Sequence, residues 1–169
     1  MKRLFLLRHA KAGYAASDKC RPLAARGRAD ALWLGQYLKK SDLMPDHILC
    51  SSALRTKETF TQLERGAERP FSVTYLDDLY LAAAEHIAHL IQQLDQRITA
   101  PMIIAHNPGL AILFQALVQN PPKDDRKKIF PTGTLAILGF DISDWSDLES
   151  NAGQLLNMIL PSDMRKTPD

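Results

Sequence analysis

The chain reads as an α/β protein, a three-layer α/β/α sandwich around a mainly parallel central sheet. Two observations predict this. Short apolar runs of strand length alternate with longer segments of helical periodicity, the pattern of strands linked by crossover helices. Several of the runs are apolar throughout rather than alternating, as expected of strands covered on both faces.

Leu4–Leu7 is the first strand, inside "LFLLRHAKA". Pro22–Lys40 reads as a helix, with Pro22 suited to a first turn and a stripe through Leu34, Tyr37 and Leu38. His47–Cys50 is a second strand, and Ala53–Glu64 a helix with Thr56, Thr59, Phe60 and Leu63 on one face. Val73–Leu76 is a candidate edge strand. Ala83–Arg97 is a helix, because Ile87, Leu90, Ile91 and Leu94 keep i, i+3, i+4, i+7 spacing. Met102–Ala105 is the next strand. Asn107 follows as a helix N-cap, with Pro108 at the first helical position and Leu110, Leu113, Phe114 and Leu117 on the buried face. Residues 119–132, rich in proline and charge, read as a loop. Leu135–Phe140 and Leu155–Leu160 read as two late strands. The expected organisation is one domain over 1–160 and a flexible tail over 161–169.

The totals fit that reading. At 169 residues, 46% hydrophobic and 24% charged, the composition is that of a globular protein with a sizeable core. The two cysteines, Cys20 and Cys50, are too few for a disulfide framework and fit reduced thiols in a cytoplasmic setting. No charged start leads into a long apolar run, and no run reaches the ~20 apolar residues of a membrane helix, so neither signal peptide nor membrane attachment is expected. A net charge of +2 gives no ground for expecting nucleic acid as a partner.

Three strands end in chemistry. In parallel sheets ligands bind beyond the carboxyl ends of the strands. That rule brings Arg8 and His9, Ser51 and Ser52, and His106 to one edge, although the histidines are almost a hundred residues apart. Arg55 belongs to the first helical turn after the second strand. Two guanidinium groups, two imidazoles and helix-start N–H groups make a pocket for a tetrahedral dianion, since arginine forks match phosphate oxygens two at a time.

The motifs "LLRHAKA", "RPLAARGRADA", "SSALRTKETF" and "AHNPGL" make the chain resemble the histidine phosphatase superfamily, and within it the small SixA-like phosphohistidine phosphatase branch. The superfamily's Arg-His-Gly is Arg8-His9-Ala10 here. Its Ser-x-x-x-Arg-x-x-x-Thr is Ser51 to Thr59, and its late histidine is His106. The resemblance runs in order over roughly residues 2 to 140 and implies a phosphoglycerate mutase-like fold. It implies His9 as nucleophile through a phosphohistidine intermediate, with Arg8, Arg55 and His106 holding the phosphoryl oxygens. No cofactor or metal is implied. The implied substrate is phosphohistidine on a protein or peptide, which suggests a role in signal transduction by a monomer or weak dimer. The short chain leaves no room for long lid insertions, so an open site is expected.

Two departures from the family pattern stand out. The family glycine is Ala10. The general acid that larger members place after the third strand falls on Tyr80 or Leu81 of "LDDLYLAAAEH", with Asp77, Asp78 and Glu85 near but off register. An alkoxide leaving group needs a proton donor. An imidazole, whose own pKa is ~6.5, depends on one far less, so the missing acid favours P–N over P–O substrates. Alternatives remain: a phosphatase of a small sugar phosphate or nucleotide ester, or a phosphoprotein-binding module without turnover. Asp18 and Arg21 either line the mouth of the site as substrate-binding residues or form a loop ion pair, and Lys11 is equally open. Arg55 alone would also suit a surface pair with Glu58 or Glu64. His86 and His89 sit at a metal-capable spacing without partner ligands, so they read as surface residues.

Overall fold

The computed structural model describes residues 1–165 and contains one six-stranded sheet flanked by helices. The strands are β1 (Lys2–Arg8), β2 (His47–Ser51), β3 (Val73–Leu76), β4 (Pro101–Ala105), β5 (Leu135–Phe140) and β6 (Gln154–Ile159). The helices are α1 (Ala25–Lys40), α2 (Leu54–Ala67), α3 (Ala84–Gln92), α4 (Gly109–Leu117), and the short α5 (Asp125–Lys128) and α6 (Pro161–Met164). The sheet order is β3-β2-β4-β1-β5-β6. β3, β2, β4 and β1 run parallel, while β5 is antiparallel to both β1 and β6.

The all-apolar strands have two buried faces, as their composition demands. Leu4, Leu6, Leu49, Ile103 and Leu138 pack with Ile87, Ile91, Leu113 and Phe114 of α3 and α4. Their alternates Phe5, Leu7, Ile48, Cys50, Ile104 and Ile137 pack with Leu34, Leu38, Phe60 and Leu63 of α1 and α2. The period of two along each strand thus builds two cores from one sheet. Helices α1 and α2 touch almost backbone to backbone. A Cβ on Gly35 would fall 2.0 Å from the Leu63 carbonyl oxygen, and one on Gly66 2.0 Å from that of Leu32.

Element edges differ from the expectation where side chains redirect the backbone. α1 begins at Ala25, not Pro22. Leu23 forms an antiparallel bridge with Ala12, Gly13 N–H donates to the Pro22 carbonyl, and the Glu58 carboxylate takes the Leu23 N–H. α3 stops at Gln92, and Asp95 takes the N–H of Arg97 in the turn that follows. Asn107 is not the N-cap of α4. The helix opens at Gly109 with Pro108 as its cap, and the Asn107 amide is used elsewhere. The loop 119–132 contains α5, whose N-cap Asp124 accepts from the Arg126 N–H. The tail expected from 161 starts instead as α6, with Pro161 and Met164 buried and Met164 in the core with α1 and α2. Its remainder, 166–169, lies outside the described residues. No helix among the described residues is long and apolar enough to cross a membrane.

Candidate active site

The carboxyl ends of β1, β2 and β4 lie side by side, and the residues that follow them meet. The imidazoles of His9 and His106 have ring centroids 5.3 Å apart at an interplanar angle of 52°. Both are buried, as is Arg55 on the first turn of α2. The three segments expected to converge do so.

The backbone around His9 is fixed from several sides. Its N–H donates to the Ala105 carbonyl, and Gly133 N–H spans the carbonyls of Arg8 and His9. Gly133 has φ +77°, a conformation open to glycine at little cost. Ala10 is not among the residues with positive φ; it is buried, and its N–H donates to Thr59 Oγ1 at 3.0 Å. Alanine therefore meets no left-handed backbone where the family has glycine, which resolves the first departure.

The His9 ring is oriented by its own turn. Nδ1 lies 2.8 Å from the Ala10 carbonyl oxygen. A carbonyl can only accept, so Nδ1 carries the proton and Nε2 keeps its lone pair. Burial, with the charges of Arg55, Arg8 and Arg21 adding to it, lowers the His9 pKa to about 4 against the hydrogen bond to Ala10. His106 falls to about 3, chiefly by burial, then through His9 and Arg55. Both rings are neutral at ordinary pH.

His106 Nε2 lies 2.8 Å from Ser51 Oγ, which also accepts from Ala53 N–H at 3.4 Å. Either partner can donate this bond; when the hydroxyl gives its proton to Nε2, the ring proton of His106 sits on Nδ1. That Nδ1 is buried without a hydrogen-bond partner, as are Arg8 Nε and Arg55 Nε. Buried donors are normally satisfied. Three unsatisfied ones on residues gathered at one edge suit an acceptor-rich anion.

Arg8 donates from a terminal nitrogen to the Phe130 carbonyl at 3.1 Å, and the same carbonyl accepts from Asn107 Nδ2 at 3.1 Å. Asn107 Nδ2 also donates to the Ile129 carbonyl. Asn107 thus anchors the 129–130 turn that positions Arg8. Arg55 pairs with neither Glu58 nor Glu64, which cap the N–H groups of Leu23 and Phe71. Its guanidinium donates to the Asp18 carbonyl at 2.8 Å and the Asp18 carboxylate at 3.1 Å. Asp18 also accepts from Tyr80 OH and from Arg21, 3.3 Å away, which together with Arg55 hold its carboxyl down at about 2. Arg21 turns its Nε to the Gly13 carbonyl. Asp18 and Arg21 therefore form the loop ion pair, and Asp18 ties that pair to Arg55.

Of Tyr80 and Leu81, the two candidates for the acid position, Tyr80 reaches the site: its ring meets His106 edge-on with centroids 5.5 Å apart, while Leu81 is exposed. The three nearby carboxylates are engaged elsewhere. Asp77 binds Lys19 and Ser52, and Asp78 faces His86 at 3.7 Å. Glu85 lines a different cleft, with Gln92, Leu113 and Leu148. Lys11 is exposed and lines a neighbouring cleft. Sequence reading missed the partnership of Ser51 with His106 and the anchoring amide of Asn107. The first had a signal in the serine that ends the second strand. The second had none, because its partners lie 22 and 23 residues away.

Comparison with known proteins agrees with this geometry. Residues 4–80 match the model of the histidine phosphatase superfamily, branch 1. An uncharacterised protein of Mycobacterium leprae is 29% identical over 92% of this chain and 99% of its own length. A candidate phosphohistidine phosphatase SixA from Nakamurella multipartitia superposes with a TM-score of 0.83 at 27% identity, covering 95% of this chain and 96% of that one. The chain is thus similar to the histidine phosphatase superfamily over its first half and, over nearly its whole length, to proteins of the SixA-like branch. Phosphohistidine phosphatase SixA of Escherichia coli, 26% identical over 83% of this chain and 86% of its own, lies on the same branch. These likenesses support a phosphatase, an enzyme of hydrolase type.

Proposed function

We propose that the protein hydrolyses phosphohistidine carried on a protein or peptide, through a covalent intermediate on His9. The observation that carries this reading is the free Nε2 of His9, set beside buried, unpartnered donors on Arg8, Arg55 and His106.

Arg8, Arg55 and the Nδ1–H of His106 hold the phosphoryl oxygens. His9 Nε2 attacks phosphorus, the substrate's P–N bond breaks, and the substrate imidazole leaves with the electron pair of that bond. When its other ring nitrogen is protonated it departs neutral. Water then attacks the phosphoryl group on His9, the second P–N bond breaks, inorganic phosphate leaves, and Nε2 regains its lone pair. Arginines supply the positive charge throughout, so no step calls for a metal ion. The low basicity of His9 serves both halves: the ring is unprotonated when it attacks and is a good leaving group when water displaces it.

The occupant of the acid position supports P–N over P–O chemistry. Tyr80 stands there with its hydroxyl proton on Asp18, and Asp77, Asp78 and Glu85 are turned to other partners. The likeness to proteins named as phosphohistidine phosphatases points the same way. A side-by-side assay tests it: turnover of a phosphohistidine protein should exceed that of a panel of alkyl phosphate monoesters, sugar phosphates and nucleotides. Equal or faster ester hydrolysis would refute the P–N preference.

A further inference from the structure

Beside the active site lies a second concavity of about 340 Å³. Lys11, Arg26, Arg126 and Arg165 line it, with Asp30 as its one carboxylate. The Lys11 ammonium has no partner among the described residues. Arg165 donates only its Nε, to the Pro161 carbonyl, and Arg26 lies 4.0 Å from Asp30. Arg126 is held by Asp124 and feels the charge of Asp163, neither of which lines the cleft, so within the lining four cations face one carboxylate.

Its position matters as much as its charge. One wall is Ile129, Pro131 and Thr132, the turn whose neighbouring carbonyl, Phe130, receives Arg8 and whose Gly133 N–H spans Arg8 and His9. Another wall is Lys11, two residues beyond His9. The cleft thus borders the two segments, 9–11 and 129–133, that carry His9 and hold Arg8. A free phosphoryl compound held by His9, Arg8 and Arg55 has no need of it. A folded protein presenting a phosphorylated side chain must lay surface on either side of that side chain.

We propose that this cleft docks an acidic surface segment of the phosphohistidine-bearing substrate protein, an inference that rests on the function proposed above. Carboxylates next to the substrate's histidine meet Lys11, Arg126 and Arg165 while the phosphoryl group enters the pocket. Cations of this kind act mainly on association and on the choice of partner.

The test compares Arg126→Glu/Arg165→Glu with the wild type on two substrates: free phosphohistidine, and a phosphohistidine protein with aspartates and glutamates flanking its histidine. Arg69→Glu, just past the C-terminal end of α2, is the control, and Arg126→Gln/Arg165→Gln serves if the reversal harms folding. The expected result is a loss of about tenfold or more in kcat/KM on the protein, steepest at low salt, with free phosphohistidine unchanged. Arg69→Glu should change neither. Equal rates on the protein for wild type and reversal variant would overturn the docking proposal alone. A wild type inactive on free phosphohistidine and phosphoprotein alike would overturn the functional reading and this inference with it. Tighter binding of a single-stranded oligonucleotide than of the phosphoprotein, lost in the same variant, would overturn the choice of partner.

Discussion

Lowering the pH from 7 to 5 should cost the protein a large part of its stability, and two residues should account for most of it. In the folded chain His9 and His106 resist protonation down to about 4 and about 3. In the unfolded chain a histidine takes up its proton near ~6.5. The unfolded state therefore binds more protons throughout the window between those values. Stability contributed by the two neutral rings is present above the unfolded pKa. It falls as pH drops below it and keeps falling until the folded pKa values are reached. Each ring changes stability by about 1.4 kcal/mol per pH unit inside that window. Between pH 7 and 5 this comes to about 2 kcal/mol for each ring and about 4 kcal/mol for the pair, against a total of about 5–15 kcal/mol for a typical domain. Asp18, held at about 2, loses its contribution only at lower pH. Asp30, whose carboxyl burial pushes up, works in the opposite sense and trims the fall. Urea unfolding at the two pH values gives the free energies directly. His9→Asn should remove about half of the pH-dependent loss, and His9→Asn/His106→Asn most of it. Wild-type stability unchanged between pH 7 and 5, or a double variant that keeps the full fall, would refute burial of two neutral imidazoles at this edge.

Other substitutions probe separate links of the same chain. Arg55→Ala should lower kcat/KM roughly 10- to 150-fold, the value of one charge-assisted hydrogen bond of about 1.5–3 kcal/mol, and should weaken inhibition by inorganic phosphate; unchanged inhibition would take Arg55 out of the pocket. Ser51→Ala should lower kcat by about tenfold and cost about 1–3 kcal/mol of stability, because the buried Nε2 of His106 loses its partner; a full-rate variant would show that this hydrogen bond does not matter to turnover. Gly35→Ala should destabilise by about 1–3 kcal/mol in urea unfolding, because its Cβ would meet the Leu63 carbonyl 2.0 Å away; an unchanged midpoint would mean that α1 and α2 can part.

The strands and their polar ends were legible because one kind of signal carries both. An apolar run that stops at Arg8, at Ser51 or at His106 announces a buried strand and a functional edge together, and β-α alternation says that these edges coincide. Element boundaries were less legible because side chains distant in sequence set them. Glu58 draws Leu23 out of the helix that Pro22 signals, and Asp95 turns the chain where apolar spacing carries a helix onward. Lys2 is buried inside β1 because its ammonium caps the carbonyls of Gln96 and Ile98, which no local pattern discloses. The same holds at the site. Local sequence places Tyr80, Asp18 and Arg55 in three unrelated segments, and only folding shows that they share one carboxylate. It likewise hides the basic cleft, whose cations come from four places along the chain.

The central claim is that His9 carries the phosphoryl group. Rapid acid-free quenching after mixing with a 32P-labelled phosphohistidine protein, followed by peptide mapping, tests it most directly. An acid-labile, alkali-stable label is expected on the peptide containing His9, absent from His9→Ala. Turnover with no label at position 9, or labelling that persists in His9→Ala, would contradict it.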